Sequence, residues 1–241
     1  MMITAALSAL TTSVDIYCER TSPAFWAEPV NAVTNLSFVA ASIWGARTAR
    51  ARGERSSAVW LLIVMAAVIG VGSFLFHTFA QVWSSFADTI PIWFFVALAC
   101  AICTVRLGGV RPGRVAIGAL VLIAIAAVLI ASGDGSGGRS SGPPRLNGSL
   151  QYAPAVVALA IFTLIAFVRG HPLRLWVAGA LVVFLISLTA RTFDHAICAA
   201  FPLGLHWIWH LMNGLLLGIV LQIVIRAGTP SQTLVGHPPR P

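Results

Sequence analysis

Long apolar runs alternate with short polar segments along the whole chain, and this alternation predicts the fold. Seven runs approach the roughly 20 residues that a helix needs to cross the hydrocarbon core of a bilayer. They are Asn31–Ala49, Ser57–Ala80, Phe86–Val105, Gly113–Ala131, Gln151–Val168, Leu173–Ala190 and Leu205–Arg226. Each should be α-helical, because backbone polar groups in lipid must be satisfied within their own segment. The pattern predicts an all-α, seven-helix transmembrane bundle.

Composition supports this prediction and excludes an ordinary soluble protein. Hydrophobic residues make up 58% of the 241 residues and charged residues only 9%, against about 25% charged in a typical soluble domain. A chain with so little charge cannot cover itself with a polar surface. Its surroundings must therefore be largely lipid, as expected for a multi-pass integral membrane protein.

The basic residues indicate the orientation of the bundle. All fifteen are arginines, and they cluster between the apolar runs, as topology signals of membrane proteins do. The net charge of +8 therefore does not indicate nucleic-acid binding. Eleven arginines lie on the side of the C-terminus and four on the side of the N-terminus, which predicts a cytoplasmic C-terminus and an outside N-terminus. The exclusive use of arginine is typical of a GC-rich bacterial genome, which predicts a location in the bacterial inner membrane.

The chain divides into one membrane domain with two flanking segments. Residues 1–30 are predicted to form an extracytoplasmic N-terminal segment, residues 31–226 the bundle, and residues 227–241 a disordered cytoplasmic tail. The segment Ser132–Ser149, rich in glycine and serine, is predicted to be a flexible loop between two spans.

Five polar side chains are predicted to lie at one depth near the outer face of the bundle. Ser73 and His77 are near the outer end of the second run, and Asp88 is near the start of the third. His206 and His210 lie four residues apart at the start of the seventh run, on one face of a helix. Ionisable groups within membrane spans are costly and usually functional. Their shared depth indicates a common site.

The chemistry of these residues is typical of a zinc hydrolase. Three neutral imidazoles with an open fourth position form a catalytic zinc site, here His77, His206 and His210. Asp88 would accept a proton from the attacking water, and Ser73 would donate a hydrogen bond to the developing oxyanion. The alternative is a purely structural role, in which the histidine pair links helices and Ser73 is a small residue at a close helix contact.

At these residues the sequence resembles the alkaline ceramidase family, within a superfamily of seven-span zinc hydrolases that includes adiponectin and progestin-type receptors and haemolysin III-like proteins. The matching segments are GSFLFH (Gly72–His77), Asp88 in FADTIP, LHWIWH (Leu205–His210) and EPVNAVTNLSF (Glu28–Phe38). The resemblance implies a zinc-dependent amidase that hydrolyses ceramide to a sphingoid base and a fatty acid. Its zinc ligands would be the three histidines, with Ser73 and Asp88 at the zinc-bound water. If the organism is bacterial, another N-acyl lipid is an alternative to ceramide as the natural substrate.

The resemblance also implies a calcium site and a disulfide in the N-terminal region. DIYCER is similar to the family's calcium-binding stretch, which would make Asp15, Glu19 and Glu28 calcium ligands. Asp15 is one position further from the cysteine than in the eukaryotic pattern, and a solvated acidic segment is the alternative. The implied disulfide joins Cys18 to Cys198, both predicted to face an oxidising compartment.

Two further predictions concern polar and aromatic residues near the same face. Arg191 and Asp194 are expected to form a structural ion pair. Four tryptophans are expected to form an interfacial belt without a chemical role; they are Trp83, Trp93, Trp207 and Trp209. The competing function for the whole chain is a receptor or transporter that uses zinc as a structural element, and the presence of Ser73 and Asp88 favours the enzyme.

Overall fold

The structure, a computed structural model, describes residues 8–132 and 145–228. The fold is all-α across these residues, where strand pairing is limited to one isolated bridge. The helices are α1 (Pro29–Thr34), α2 (Leu36–Ala51), α3 (Ser57–Phe79), α4 (Val82–Arg106), α5 (Pro112–Ser132), α6 (Ala153–Val168), α7 (Arg174–Ile197) and α8 (His206–Gly228). An irregular turn, Arg145–Tyr152, leads into α6.

Five helices in the described part of the chain are long and apolar enough to cross a membrane, which identifies an integral membrane protein. They are Ser57–Phe79, Val82–Arg106, Leu146–Val168, Arg174–Ile197 and His206–Gly228, and they confirm five of the predicted spans. The first predicted span is divided between α1 and α2, which meet at Asn35. The fourth corresponds to α5, in which Pro112–Ala124 is a shorter apolar helix. The count of seven spans and the orientation stay predictions.

Six of the helices form a ring around a cavity: α2, α3, α4, α6, α7 and α8. Neighbours along the chain pack side by side from α4 through α3 to α2 and from α6 through α7 to α8, and α2 against α8 joins the two groups. Of the five candidate spans, α8 is the most buried. Large apolar side chains such as Leu120 and Leu164 remain exposed on the outside, as expected for surfaces that face lipid.

One end of the ring, called here the histidine end, is formed where α3 and α7 stop and α4 and α8 start. The N-terminal segment covers this end: Ser13 pairs with Gln81, and the Val14 N–H donates to the Ala80 carbonyl over 2.7 Å. A disulfide then joins Cys18 to Cys198, in agreement with the pairing that the resemblance implies. Its two Cα atoms are 5.3 Å apart.

The start of α4 differs from the prediction in a way that matters for the site. The helix begins at Val82, four residues before the predicted Phe86, because Gln81 and Ser84 form a capping box. The Gln81 N–H donates to Ser84 Oγ over 3.0 Å. Asp88 consequently lies within the second turn of a formed helix, and Pro91 lies inside the helix rather than near its start.

Two predicted irregular segments fall largely beyond the described residues. Residues 133–144 of the predicted loop and residues 229–241 of the predicted tail lie outside them. The described part of the loop, from Arg145 onward, forms an ordered turn with left-handed backbone at Leu146 and Asn147. Helix α8 extends to Gly228, two residues beyond the predicted boundary.

Candidate metal centre

Three histidines from two helices meet inside the histidine end. His77 lies in the last turn of α3, and His206 and His210 occupy the first two turns of α8. Each is only 1% exposed. Their ring centroids are 4.6 to 5.1 Å apart, and one candidate ligand atom from each lies within 4.8 Å of the others. The three rings can therefore share a single metal ion.

Hydrogen bonds orient two of these rings. His77 Nδ1 lies 2.6 Å from Glu28 Oε2, and His210 Nδ1 lies 3.0 Å from Thr34 Oγ1. Metal-binding histidines usually carry such a partner on the second ring nitrogen, which leaves Nε2 for the metal. His77 Nε2 is buried and has no hydrogen-bond partner within the described structure. Since a buried polar atom without a partner is costly, a metal ion at Nε2 fits the site.

Glu28 is the centre of a buried network behind His77. Its Oε1 accepts a hydrogen bond from Arg20 Nε, and its Oε2 accepts one from Asn31 Nδ2 over 3.0 Å. Burial by itself would raise the pKa of Glu28, but hydrogen bonds with His77, Asn31 and Arg20 hold this pKa below its usual value. An ionised Glu28 would bind the Nδ1–H of His77 strongly and direct Nε2 away from the network.

Asp194, near the end of α7, fixes the start of α8. Its Oδ1 accepts the N–H groups of Leu205 at 2.7 Å and His206 at 3.0 Å, and its Oδ2 accepts the Cys18 N–H at 3.3 Å. A carboxylate is favoured there because a helix N-terminus exposes unpaired N–H groups. The predicted Arg191–Asp194 ion pair is therefore wrong: no such pair occurs among the described residues, and main-chain N–H groups bind the carboxylate instead.

The turn before α8 closes tightly against the N-terminal segment. Gly204 has a φ of +67°, which other residues rarely adopt, and a Cβ there would collide with the Asp194 carboxylate and with Cys18. The Cys18–Cys198 disulfide joins the N-terminal segment to the end of α7, next to this turn. Together these contacts set the position of His206 at the start of α8.

Ser73 and Asp88 line a cavity next to the histidines. At this level α3 and α4 approach closely, since a Cβ on Gly72 would collide with the Ala87 carbonyl. The cavity has a volume of about 250 Å³, and His206 and His210 also line it. Ser73 is buried and Asp88 is half-buried beside the cavity. The structure thus brings together all five polar residues that the sequence placed at one depth.

Three further residues complete this end of the cavity, and two of them could not be recognised from the sequence pattern. The Tyr17 ring stacks on His206 with centroids 3.6 Å apart, and its hydroxyl accepts a hydrogen bond from Arg191 Nη1 over 3.1 Å. Trp209 is buried beside His206 and lines the cavity. The prediction that Trp209 belongs to an interfacial belt is therefore wrong. For Tyr17 and Arg191, local periodicity carries no signal of a site.

The predicted calcium ligands do not assemble as one group of carboxylates. Glu19 accepts the N–H groups of Val30 at 2.7 Å and Asn31 at 2.8 Å, at the start of α1. Burial raises the pKa of Glu19, and these main-chain hydrogen bonds oppose the rise. In the described part of the chain, Asp15, Glu19 and Glu28 do not bring three ligand oxygens within 4.8 Å of one another. The calcium site stays a prediction from the resemblance.

A second group of possible ligands lies nearer the surface. Cys18, His195 and Cys198 also have their candidate ligand atoms within 4.8 Å. Both sulfur atoms belong to the disulfide, and His195 is exposed. Since thiolate rather than disulfide sulfur binds metal ions, this group does not compete with the buried histidines for a metal in the oxidised protein.

Comparison with known protein families gives a match for this chain. The model of one protein family, described as Ceramidase, matches residues 9–234, which is nearly the whole chain. The match includes every residue of the site. Comparison with curated proteins gives no match.

Proposed function

This chain belongs to the ceramidase family, and we propose that it is a zinc-dependent amidase that cleaves ceramide or another N-acyl lipid within the membrane. Its products would be a free fatty acid and an amine. The observation that carries the proposal is the buried histidine triad, whose members converge beside an apolar cavity that also contains Ser73 and Asp88. Three imidazole ligands and an open side are the arrangement of a catalytic rather than a structural zinc.

His77, His206 and His210 would hold the zinc, which supplies a Lewis acid and a water of lowered pKa when bound. Asp88 would take a proton from the attacking water and return it to the leaving nitrogen. Ser73 would donate a hydrogen bond to the carbonyl oxygen as negative charge develops there. A C–O bond forms between the water oxygen and the carbonyl carbon, and the amide C–N bond breaks. The hydroxyl of the water stays on the acid, and its proton goes to the amine.

The cavity suits a lipid chain. From the histidines it continues between α4, α6 and α8 toward Cys103 and Val220, lined mainly by apolar side chains. The stretch of α8 from His206 to Val220 corresponds to roughly 21 Å at 1.5 Å per residue. Half of a bilayer core is about 15 Å thick. An acyl chain that enters at the histidines can therefore remain inside the protein over the depth of one leaflet.

We also propose seven spans with the histidine end toward the outer face of a bacterial inner membrane. The arginine distribution carries this part. At the end opposite the histidines, Arg106 bonds to Glu54 and to the Val224 carbonyl. The competing receptor or transporter function is less well supported, since a structural zinc does not need a carboxylate and a hydroxyl beside it within a lipid-sized cavity.

The proposal is tested by lipid-product analysis of the purified protein in detergent or nanodiscs. Ceramide and other N-acyl amides should each be supplied, and mass spectrometry should detect fatty acid and amine in equal amounts for at least one of them. A chelator should abolish turnover, and zinc should restore it. A zinc-loaded, folded protein that releases no fatty acid from any of these amides would contradict the assignment.

A further inference from the structure

Arg191 is a buried cation that forms no salt bridge among the described residues. It lies on α7, within a candidate membrane span, and is 7% exposed. No carboxylate lies within 4.0 Å of it among the described residues. Buried charges in proteins are normally paired, and an ionisable residue within a membrane span usually has a function. The absence of a salt bridge in the described structure therefore requires an explanation.

The hydrogen-bond donors of Arg191 are largely unused. A guanidinium carries five N–H groups. In the described structure Arg191 donates one hydrogen bond from its side chain, to the Tyr17 hydroxyl, and its Nε is buried with no acceptor. Three aromatic rings lie 5.2 to 5.8 Å from its Cζ: Tyr17, Tyr152 and Trp209. Such rings favour a cation but accept none of its in-plane N–H groups.

Arg191 faces the same cavity as the catalytic residues. It lines this cavity together with Ser73, Asp88 and His206, at the end opposite the apolar part that suits an acyl chain. Asn147 Nδ2 donates to the Arg191 carbonyl over 2.8 Å and Thr192 bonds to Ser149, and these bonds hold this part of α7 against the turn before α6. A lipid whose acyl chain fills the apolar part would place the amine portion of the molecule here.

We propose that Arg191 binds an anionic group on the amine portion of the lipid, so that the preferred substrate is an acidic N-acyl lipid. A carboxylate or a phosphate next to the scissile amide has this chemistry, and a planar guanidinium binds both through paired N–H groups. The inference rests on the proposed function, since it names the substrate class of that site. Asp88 lies in the same cavity, and the positive charges of Arg191 and of a bound zinc offset its negative charge.

The decisive experiment compares matched pairs of lipids. N-palmitoylglycine and N-palmitoylethanolamine differ in a carboxylate, and ceramide 1-phosphate and ceramide differ in a phosphate. For at least one pair, wild-type kcat/KM should be roughly ten- to a hundredfold higher for the acidic member. The pair that shows the larger ratio identifies the carboxylate or the phosphate.

Arg191→Gln should remove this preference, because kcat/KM should fall roughly ten- to a hundredfold more for the acidic lipid than for the neutral one. Arg191→Lys keeps the charge and should keep part of the preference. The matched control is Arg226→Gln, because Arg226 also lies over an aromatic ring, 5.0 Å from Trp176, but does not line the cavity. It should leave the ratio unchanged. If Arg191→Gln lowers turnover of both lipids equally, Arg191 is structural and the inference is wrong.

A binding measurement separates this inference from the proposed function. Radiolabelled N-palmitoylglycine, N-palmitoylethanolamine and palmitate can be bound to chelator-treated protein, where no turnover is needed. If nothing is hydrolysed but the wild type still binds the acidic amide more tightly and Arg191→Gln does not, the anion site stands and the amidase assignment fails. If Arg191→Gln weakens palmitate binding alone, the residue holds the product and the substrate inference is overturned. A wild type without any preference for an acidic amide overturns it even if neither variant folds.

Discussion

Arg20 and Arg191 are two buried guanidinium groups on either side of the histidines, and they differ in how their donors are used. Arg20 donates to the Glu28 carboxylate and to three main-chain carbonyls, those of Ser22, Ala24 and His77. Arg191 donates to one tyrosine hydroxyl and is otherwise surrounded by aromatic rings and the cavity. Both are less than 10% exposed.

Under the proposed function, this difference separates a metal-holding region from a lipid-binding region. In the metal-holding region, Arg20 and Glu28 form hydrogen bonds within the protein, and these bonds fix the orientation of His77. In the lipid-binding region, Asp88 and Arg191 line a cavity, and their remaining donor and acceptor atoms are available to a ligand. Changes in the first region should alter metal affinity, and changes in the second should alter turnover or lipid preference.

The largest effect is expected from removing a ligand that both regions depend on. His210→Ala should lose the zinc and the activity together, because two histidines leave a much weaker site. Metal analysis of the purified variant, together with an activity assay, checks both losses. The control His195→Ala removes an exposed histidine outside the buried triad and should keep about one zinc per chain. Full zinc occupancy in His210→Ala would contradict the ligand assignment.

Asp88→Asn should separate the two regions most clearly. The amide cannot accept the proton of the attacking water, so kcat should fall about 10² to 10⁴-fold. Zinc content should remain at the wild-type level, since Asp88 is not one of the ligands. Parallel measurements of bound metal and turnover test this outcome. Normal turnover by Asp88→Asn would require a different general base.

Glu28→Gln should weaken zinc binding by about ten- to a hundredfold, because Glu28 orients His77 and sets its tautomer. Competition with a chelator measures the affinity directly. Once the variant is saturated with zinc, the ratio of acidic to neutral lipid turnover should equal that of wild type. Glu54→Gln is the control, since Glu54 pairs with Arg106 at the opposite end. An equal loss of affinity in Glu54→Gln would indicate a global effect on the fold.

Arg20→Gln tests the comparison of the two arginines. It should lower zinc affinity about tenfold, since Glu28 loses its cationic partner, and it should leave the lipid preference intact. Arg191→Gln should do the reverse: it should remove the lipid preference and leave the zinc affinity intact. Chelator competition measures the zinc affinity of both variants, and the matched lipid pairs measure the lipid preference of both. The comparison breaks down if the two variants change the same quantity.

The smallest effect is expected from Thr34→Val, which removes the hydroxyl next to His210 Nδ1. A neutral hydrogen bond contributes about 1 kcal/mol, which corresponds to roughly a fivefold lower zinc affinity. Thr163→Val is the matched control, because its hydroxyl bonds only to the Leu159 carbonyl on its own helix. A variant of Thr34 that binds zinc as well as wild type would show that this hydroxyl does not orient the ring.

Much of the fold and the core of the site could be predicted because their signals are local. An apolar run of sufficient length predicts a span wherever it occurs, and five such helices are present in the described residues. The four-residue spacing of His206 and His210 places both on one helix face whatever surrounds them. Counting the spans places His77 at the same end of the bundle as His206 and His210, because the second run ends there and the seventh begins there. The differences lie at helix ends and at a break: a capping box outside the apolar run sets the start of α4, and the first predicted span is divided at Asn35. The count of seven spans stays a prediction.

The choice of hydrogen-bond partners was decided only by the tertiary structure. Asp194 and Arg191 are close enough in sequence to suggest an ion pair, yet Asp194 binds the first N–H groups of α8 and Arg191 binds Tyr17, from 174 residues away. Glu28 and Trp209 likewise take roles that depend on which helices meet. Periodicity reports which face of a helix is apolar, but a polar group bonds to whichever donor or acceptor packing brings within reach. The sequence alone therefore determined five membrane-spanning helices and the three histidines, and packing determined which polar groups orient those histidines and which line the cavity.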